Sequence, residues 1–102
     1  MKYIKLGAVR AFLRVAPDKP QALKVLEEAA EVFGAWQLMR DTEEARLNPK
    51  HEMTYLMDEI ADTIQACCNL AAALGVEDMT PYLARCEERN RERGRYGEGE
   101  PK

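Results

Sequence analysis

The sequence predicts an all-α chain, an antiparallel helical bundle of three to four helices completed by homo-oligomerisation. Of 102 residues, 46% are hydrophobic but only 7% aromatic. The apolar content is therefore mostly Ala, Leu, Val and Met, which suits close-packed helices better than a β-sandwich. No β-hairpin signal and no internal repeat appears along the chain. A chain this short has a modest core of its own, and an apolar-rich helical chain of that size often completes it against a copy of itself.

The elements follow in order. Gly7 to Val15 forms a short helix in this reading, with Val9, Phe12 and Leu13 on one side and Pro17 closing it. The first long helix runs from about Pro20 to about Ala45, with Pro20 in the first turn, where its missing N–H is not needed. The second runs from about Pro49 to Leu74, with Asn48 as N-cap and Gly75 as the stop. The third starts at Thr80-Pro81, continues to about Arg93 and ends at Gly94. Residues 1–96 are read as a single domain and 97–102, rich in Gly, Glu and Pro, as a flexible tail.

Several classes of function fall away. A net charge of −3 argues against binding a nucleic-acid backbone. Three cysteines, two of them the adjacent Cys67 and Cys68, make no disulfide scaffold, and one histidine leaves no zinc-finger spacing. Arg10 and Arg14 interrupt any signal-peptide core near the start. Asp58, Glu59 and Asp62 interrupt the apolar stretch from Met53 to Leu74 and make it too costly for lipid. A soluble, cytoplasmic protein with no membrane partner is expected.

The chemistry is concentrated in two acidic triplets. From Val25 to Met39 the only charges are Glu27, Glu28 and Glu31, which fall within about 100° of one another on a helix. Ala35 and Leu38 continue that side, so the acids are set into a helix that is apolar nearly all round, a pattern typical of burial. Asp58, Glu59 and Asp62 repeat the arrangement on the second helix. If the helices pack antiparallel, as a short connection favours, the two sets face each other. Two carboxylates about 5 Å apart repel by roughly 3 kcal/mol at an effective dielectric near 20. On this reading no base lies nearby in sequence on either helix to neutralise them. A hard divalent cation would, and all-oxygen ligation favours Mg²⁺, with Mn²⁺ as a possible substitute. The competing reading leaves these acids on solvated faces or pairs them with the C-terminal arginines.

Glu27-Glu28-Ala29-Ala30-Glu31 followed by Glu59-Ile60-Ala61-Asp62 reads as E-E-x-x-E … E-x-x-D. With Trp36 and the closing Asn90-x-x-Arg93-Gly94-Arg95-Tyr96, this resembles the MazG-like all-α nucleoside triphosphate pyrophosphohydrolases over roughly Gln21 to Tyr96. The resemblance implies a homodimer or homotetramer that hydrolyses a nucleoside triphosphate to monophosphate and pyrophosphate. It implies Glu28, Glu31, Glu59 and Asp62 as Mg²⁺ ligands, and Glu27 as a further catalytic acid holding or activating water or another metal. Asn90 then contacts the nucleotide, with Arg93 and Tyr96 near the phosphates or base. Many members carry a Lys where this chain has Cys86, a departure that Arg85 or Arg89 would have to cover.

Other residues have blander readings. Trp36 stacks on a base or belongs to a core or dimer interface, the second being the commoner fate. His51 suits a surface or capping role, and Tyr55 and Met57 suit packing. Glu87 and Arg91, at i,i+4, suit an ordinary salt-laced helix face. There is no glycine-rich phosphate loop and no nucleophile elbow, so any triphosphate must be held by metal and arginine. Two alternatives remain: phosphoribosyl-ATP pyrophosphohydrolase from the same superfamily, and a non-catalytic helical dimer acting as an interaction module.

Overall fold

The computed structural model describes residues 2–97. Its helices form where capping side chains, proline and glycine permit: α1 (Lys19–Glu44), α2 (Lys50–Ala73) and α3 (Thr80–Glu92). No strand occurs among the described residues. Residues 8–75 form one compact unit, and residues 2–7 with 76–97 form another.

The first unit is a helical hairpin. Asp18 opens α1, its Oδ1 accepting the Gln21 N–H at 3.0 Å, with proline in the first turn. The helix closes through two reversed bonds, from the Arg46 N–H to the Glu43 carbonyl and from the Leu47 N–H to the Thr42 carbonyl. This closure puts Arg46 at φ 60°, a left-handed position more often filled by glycine. Asn48 then accepts the Lys50 N–H at 3.1 Å as α2 begins, and Gly75, at φ +85°, ends the hairpin.

The pairing of α1 with α2 must be antiparallel. A helix of 26 residues is about 39 Å long, whereas the five residues 45–49 span at most about 18 Å. The chain can only turn back along α1. Ala35, Leu56 and Ala66 are the buried apolar residues of the hairpin among those described. Leu26, Phe33, Leu38 and Met57 stay exposed. The expectation of a fully buried α1 therefore fails for the single chain, because one neighbouring helix covers only one stripe.

The helix expected from Gly7 to Val15 is absent. Residues 8–17 run as irregular chain with bends only, and the cause lies in α2. Gln65 Nε2 donates to the Arg10 carbonyl at 2.8 Å, and Asn69 Oδ1 accepts the Phe12 N–H at 3.0 Å. Backbone groups that a helix would have paired locally are taken by two distant carboxamides.

In the second unit, the carboxylate of Asp78 rather than the hydroxyl of Thr80 caps α3. It accepts the Thr80 N–H at 2.9 Å, and that bond holds the Asp78 carboxyl below its usual pKa. Arg91 pairs with Glu87 at 3.3 Å and with Glu88 at 2.6 Å, the salt-laced face the sequence suggested. α3 buries none of its own residues. Of the tail expected from Gly97 to Lys102, only Gly97 lies among the described residues. No described helix is long and apolar enough to cross a membrane.

Candidate functional site

The hairpin brings acids from both helices together. One oxygen from each of Glu28, Glu59 and Asp62 lies within 4.8 Å of the other two. Glu28 and Glu59 are buried, while Asp62 is open to solvent. Each triplet is split in the same way. On a helical wheel the first and second acids mark the two edges of the arc and the third sits between them. α1 turns Glu28 toward α2, and Glu27 is left with a side chain 64% exposed. α2 likewise turns Glu59 and Asp62 inward and leaves Asp58 exposed. Ala35, one turn beyond Glu31, is buried on the same side, but Leu38 is not.

Glu31 joins the group from an exposed position. Its pKa is raised, first by a hydrogen bond that its protonated form makes with Glu59, and then by repulsion from Glu28. Burial contributes further, and so does the charge of Glu59. Tyr55 stands close enough for the Glu59 charge to raise its phenol pKa, with burial and Glu31 adding to the effect. Sequence reasoning treated Tyr55 as a packing residue. Its position four residues before Glu59 on one helix was the signal that could have placed it beside the acids.

One base does reach the cluster. Lys24 Nζ lies 3.2 Å from Glu28 Oε1 and 3.6 Å from Glu27 Oε2. The stretch that contains no base begins at Val25, and the lysine precedes it by one residue, four before Glu28. This corrects the expectation that no base lies near enough to help. Glu27 pairs with Lys24 at the surface and is not one of the three converging acids.

One half-exposed ammonium does not balance the group. Glu28, Glu31, Glu59 and Asp62 supply four carboxyls, and Glu59 Oε2 is buried with no hydrogen-bond partner. A buried acceptor left unpaired costs about 1–3 kcal/mol. Two kinds of occupant remove that cost: a proton carried by Glu31, or a cation bound between the helices. The donor set is all oxygen and suits a hard cation.

Trp36, half exposed on α1, stacks with Phe33 at a centroid distance of 5.8 Å. The remaining expected substrate contacts, Arg89, Asn90, Arg93 and Tyr96, belong to the second unit. There, Asn90 Nδ2 donates to Cys86 Sγ at 3.5 Å. Arg89, Arg93 and Tyr96 are exposed. No family model, curated protein or solved structure matches this chain.

Proposed function

We propose that the chain is a Mg²⁺-dependent hydrolase that splits a nucleoside triphosphate into monophosphate and pyrophosphate. The observation that carries this reading is the convergence of Glu28, Glu59 and Asp62 around a buried, unpartnered Glu59 oxygen. Glu52 Oε2, also on α2, is likewise buried without a partner among the described residues, so what distinguishes Glu59 is its convergence with Glu28 and Asp62. Glu28, Glu59 and Asp62, with Glu31 beside them, would hold the ion. When bound, it would polarise phosphate oxygens and lower the pKa of a nearby water. The chain's own contribution is then positional. Glu31, at the exposed edge of the group, is the carboxylate suited to accept a proton from attacking water. Tyr55, one turn before Glu59 on α2, is suited to donate a hydrogen bond beside it.

The resemblance of E-E-x-x-E … E-x-x-D to the MazG-like enzymes supports this reading independently of the geometry. Arg89, Asn90, Arg93 and Tyr96 are proposed to contact the nucleotide, and Trp36 to stack on the base or pack at an interface. A second copy of the chain, as a homodimer or homotetramer, is proposed to cover exposed apolar side chains such as Leu26, Phe33 and Leu38.

A panel of nucleoside triphosphates incubated with Mg²⁺, assayed for both pyrophosphate and orthophosphate, tests the reaction. Orthophosphate as the sole inorganic product would move the cleavage point and defeat the proposal. Sedimentation of the wild type beside Phe33→Glu tests the assembly, with a lower mass expected for the variant.

A further inference from the structure

Glu28 and Glu59 are both buried in the cluster, but they are not served alike. Glu59 Oε2 has no partner among the described residues. Glu28 Oε1 has the half-exposed ammonium of Lys24 at 3.2 Å, at the rim of the group. Helix geometry gives that pair little support. A lysine four residues before a glutamate is the weaker of the two i,i+4 orders, and a pair with one partner in water contributes little. Two features let the lysine leave. Glu27, exposed and outside the converging set, already stands 3.6 Å from the same nitrogen. Lys24 also lines an open cavity of about 660 Å³, so its side chain has room to turn. Glu28 is thus held by a cation that it can lose at small cost.

We propose that Lys24 is the resident counter-ion of the cluster: it competes with a divalent cation for Glu28, and the arriving ion hands it over to Glu27. The inference rests on reading Glu28, Glu59 and Asp62 as the cation site. It makes Glu27 a positioning residue, which receives the displaced ammonium and does not touch the ion. Charge then selects the occupant. A monovalent cation that replaces the ammonium on Glu28 brings no additional charge and must shed water to do so. A doubly charged ion adds one unit of charge among three converging carboxylates, where like charges repel most. Lys24 therefore disfavours sodium and potassium, and it lowers the affinity for the divalent ion by a small factor.

Isothermal titration of the full chain with Mn²⁺, at an ionic strength fixed by tetramethylammonium chloride, tests the exchange. Lys24→Met, a change at a half-exposed side chain that the fold should tolerate, is expected to tighten Mn²⁺ about two- to fivefold. Glu27→Gln should weaken Mn²⁺ by a similar factor in the wild type. In the Lys24→Met background it should change nothing, because no ammonium is left to receive; a role through charge alone would be additive. Sodium in place of tetramethylammonium should weaken Mn²⁺ in Lys24→Met and not in the wild type. Unchanged affinity in Lys24→Met, equal weakening by Glu27→Gln in both backgrounds, or equal sensitivity to sodium would overturn the inference. No Mn²⁺ binding to either the wild type or Lys24→Met would defeat the cation site and the inference together. Lysine-dependent Mn²⁺ binding without pyrophosphate release would defeat the hydrolase reading and leave the counter-ion assignment standing. Pyrophosphate release with a Mn²⁺ affinity indifferent to position 24 would do the reverse.

Discussion

Glutamates in the hairpin and glutamates in α3 have the same chemistry and opposite surroundings. In α3, Glu87 and Glu88 stand four and three residues before Arg91, and both reach it. Glu88 is exposed and Glu87 and Arg91 are partly so, a setting in which ion pairs contribute little. In the hairpin, Glu28 and Glu59 are buried, Lys24 is the one base among the described residues paired with the group, and the Oε2 atoms of Glu52 and Glu59 have no partner there. Interleaved charges of both signs describe a solvated face. In the hairpin four carboxyls, Glu28, Glu31, Glu59 and Asp62, stand beside one paired lysine among the described residues.

The sharpest way to break this contrast is to neutralise one acid in each region. Glu59→Gln is expected to lower Mg²⁺-dependent pyrophosphate release by at least about a hundredfold, more than losing an outer-shell partner usually costs. The same variant should melt at a higher temperature than the wild type when Mg²⁺ is absent, because it removes a buried uncompensated charge. Glu88→Gln should leave the activity unchanged. Full activity in Glu59→Gln would remove the distinction between the two regions.

Mg²⁺ itself should come next in size. At a concentration one hundred times its dissociation constant, a ligand specific for the native state adds about 2.7 kcal/mol. Thermal melts with and without the ion should show a shift of that order in the wild type and none in Glu59→Gln. A smaller effect is expected from pH. The Glu31 carboxyl is raised in the native state, so between the ordinary glutamate value, ~4.3, and its raised value the native chain binds more protons than the unfolded one. Stability of the metal-free protein should therefore fall as pH rises through that window. Glu31→Gln should flatten the slope in a series of urea melts, and saturating Mg²⁺ should also reduce it. Smallest of all, Glu88→Gln should change stability by no more than about 1 kcal/mol.

The three long helices were legible because their ends carry local signals: Pro20, Gly75, Pro81 and Gly94 each sit within a residue or two of a boundary. The convergence of Glu28, Glu59 and Asp62 was legible from periodicity and the short link. What periodicity could not supply was the direction in which each arc faces, and Glu27 and Asp58 fell on the outer edges. Lys24 escaped notice because it lies one residue outside the apolar window, although its i,i+4 spacing to Glu28 was there to see. The Gly7–Val15 region was misread for a different reason. Its conformation is decided by Gln65 and Asn69, more than fifty residues away in sequence, and no local pattern encodes such a partner.

That distant partnership makes a single backbone proton informative. The Phe12 amide lies in chain with neither helix nor strand, where protons ordinarily trade rapidly with solvent. Because Asn69 holds it, its deuterium uptake follows the breaking of that one bond. One resonance thus reports whether the segment before α1 stays fastened to α2, with no substrate attached.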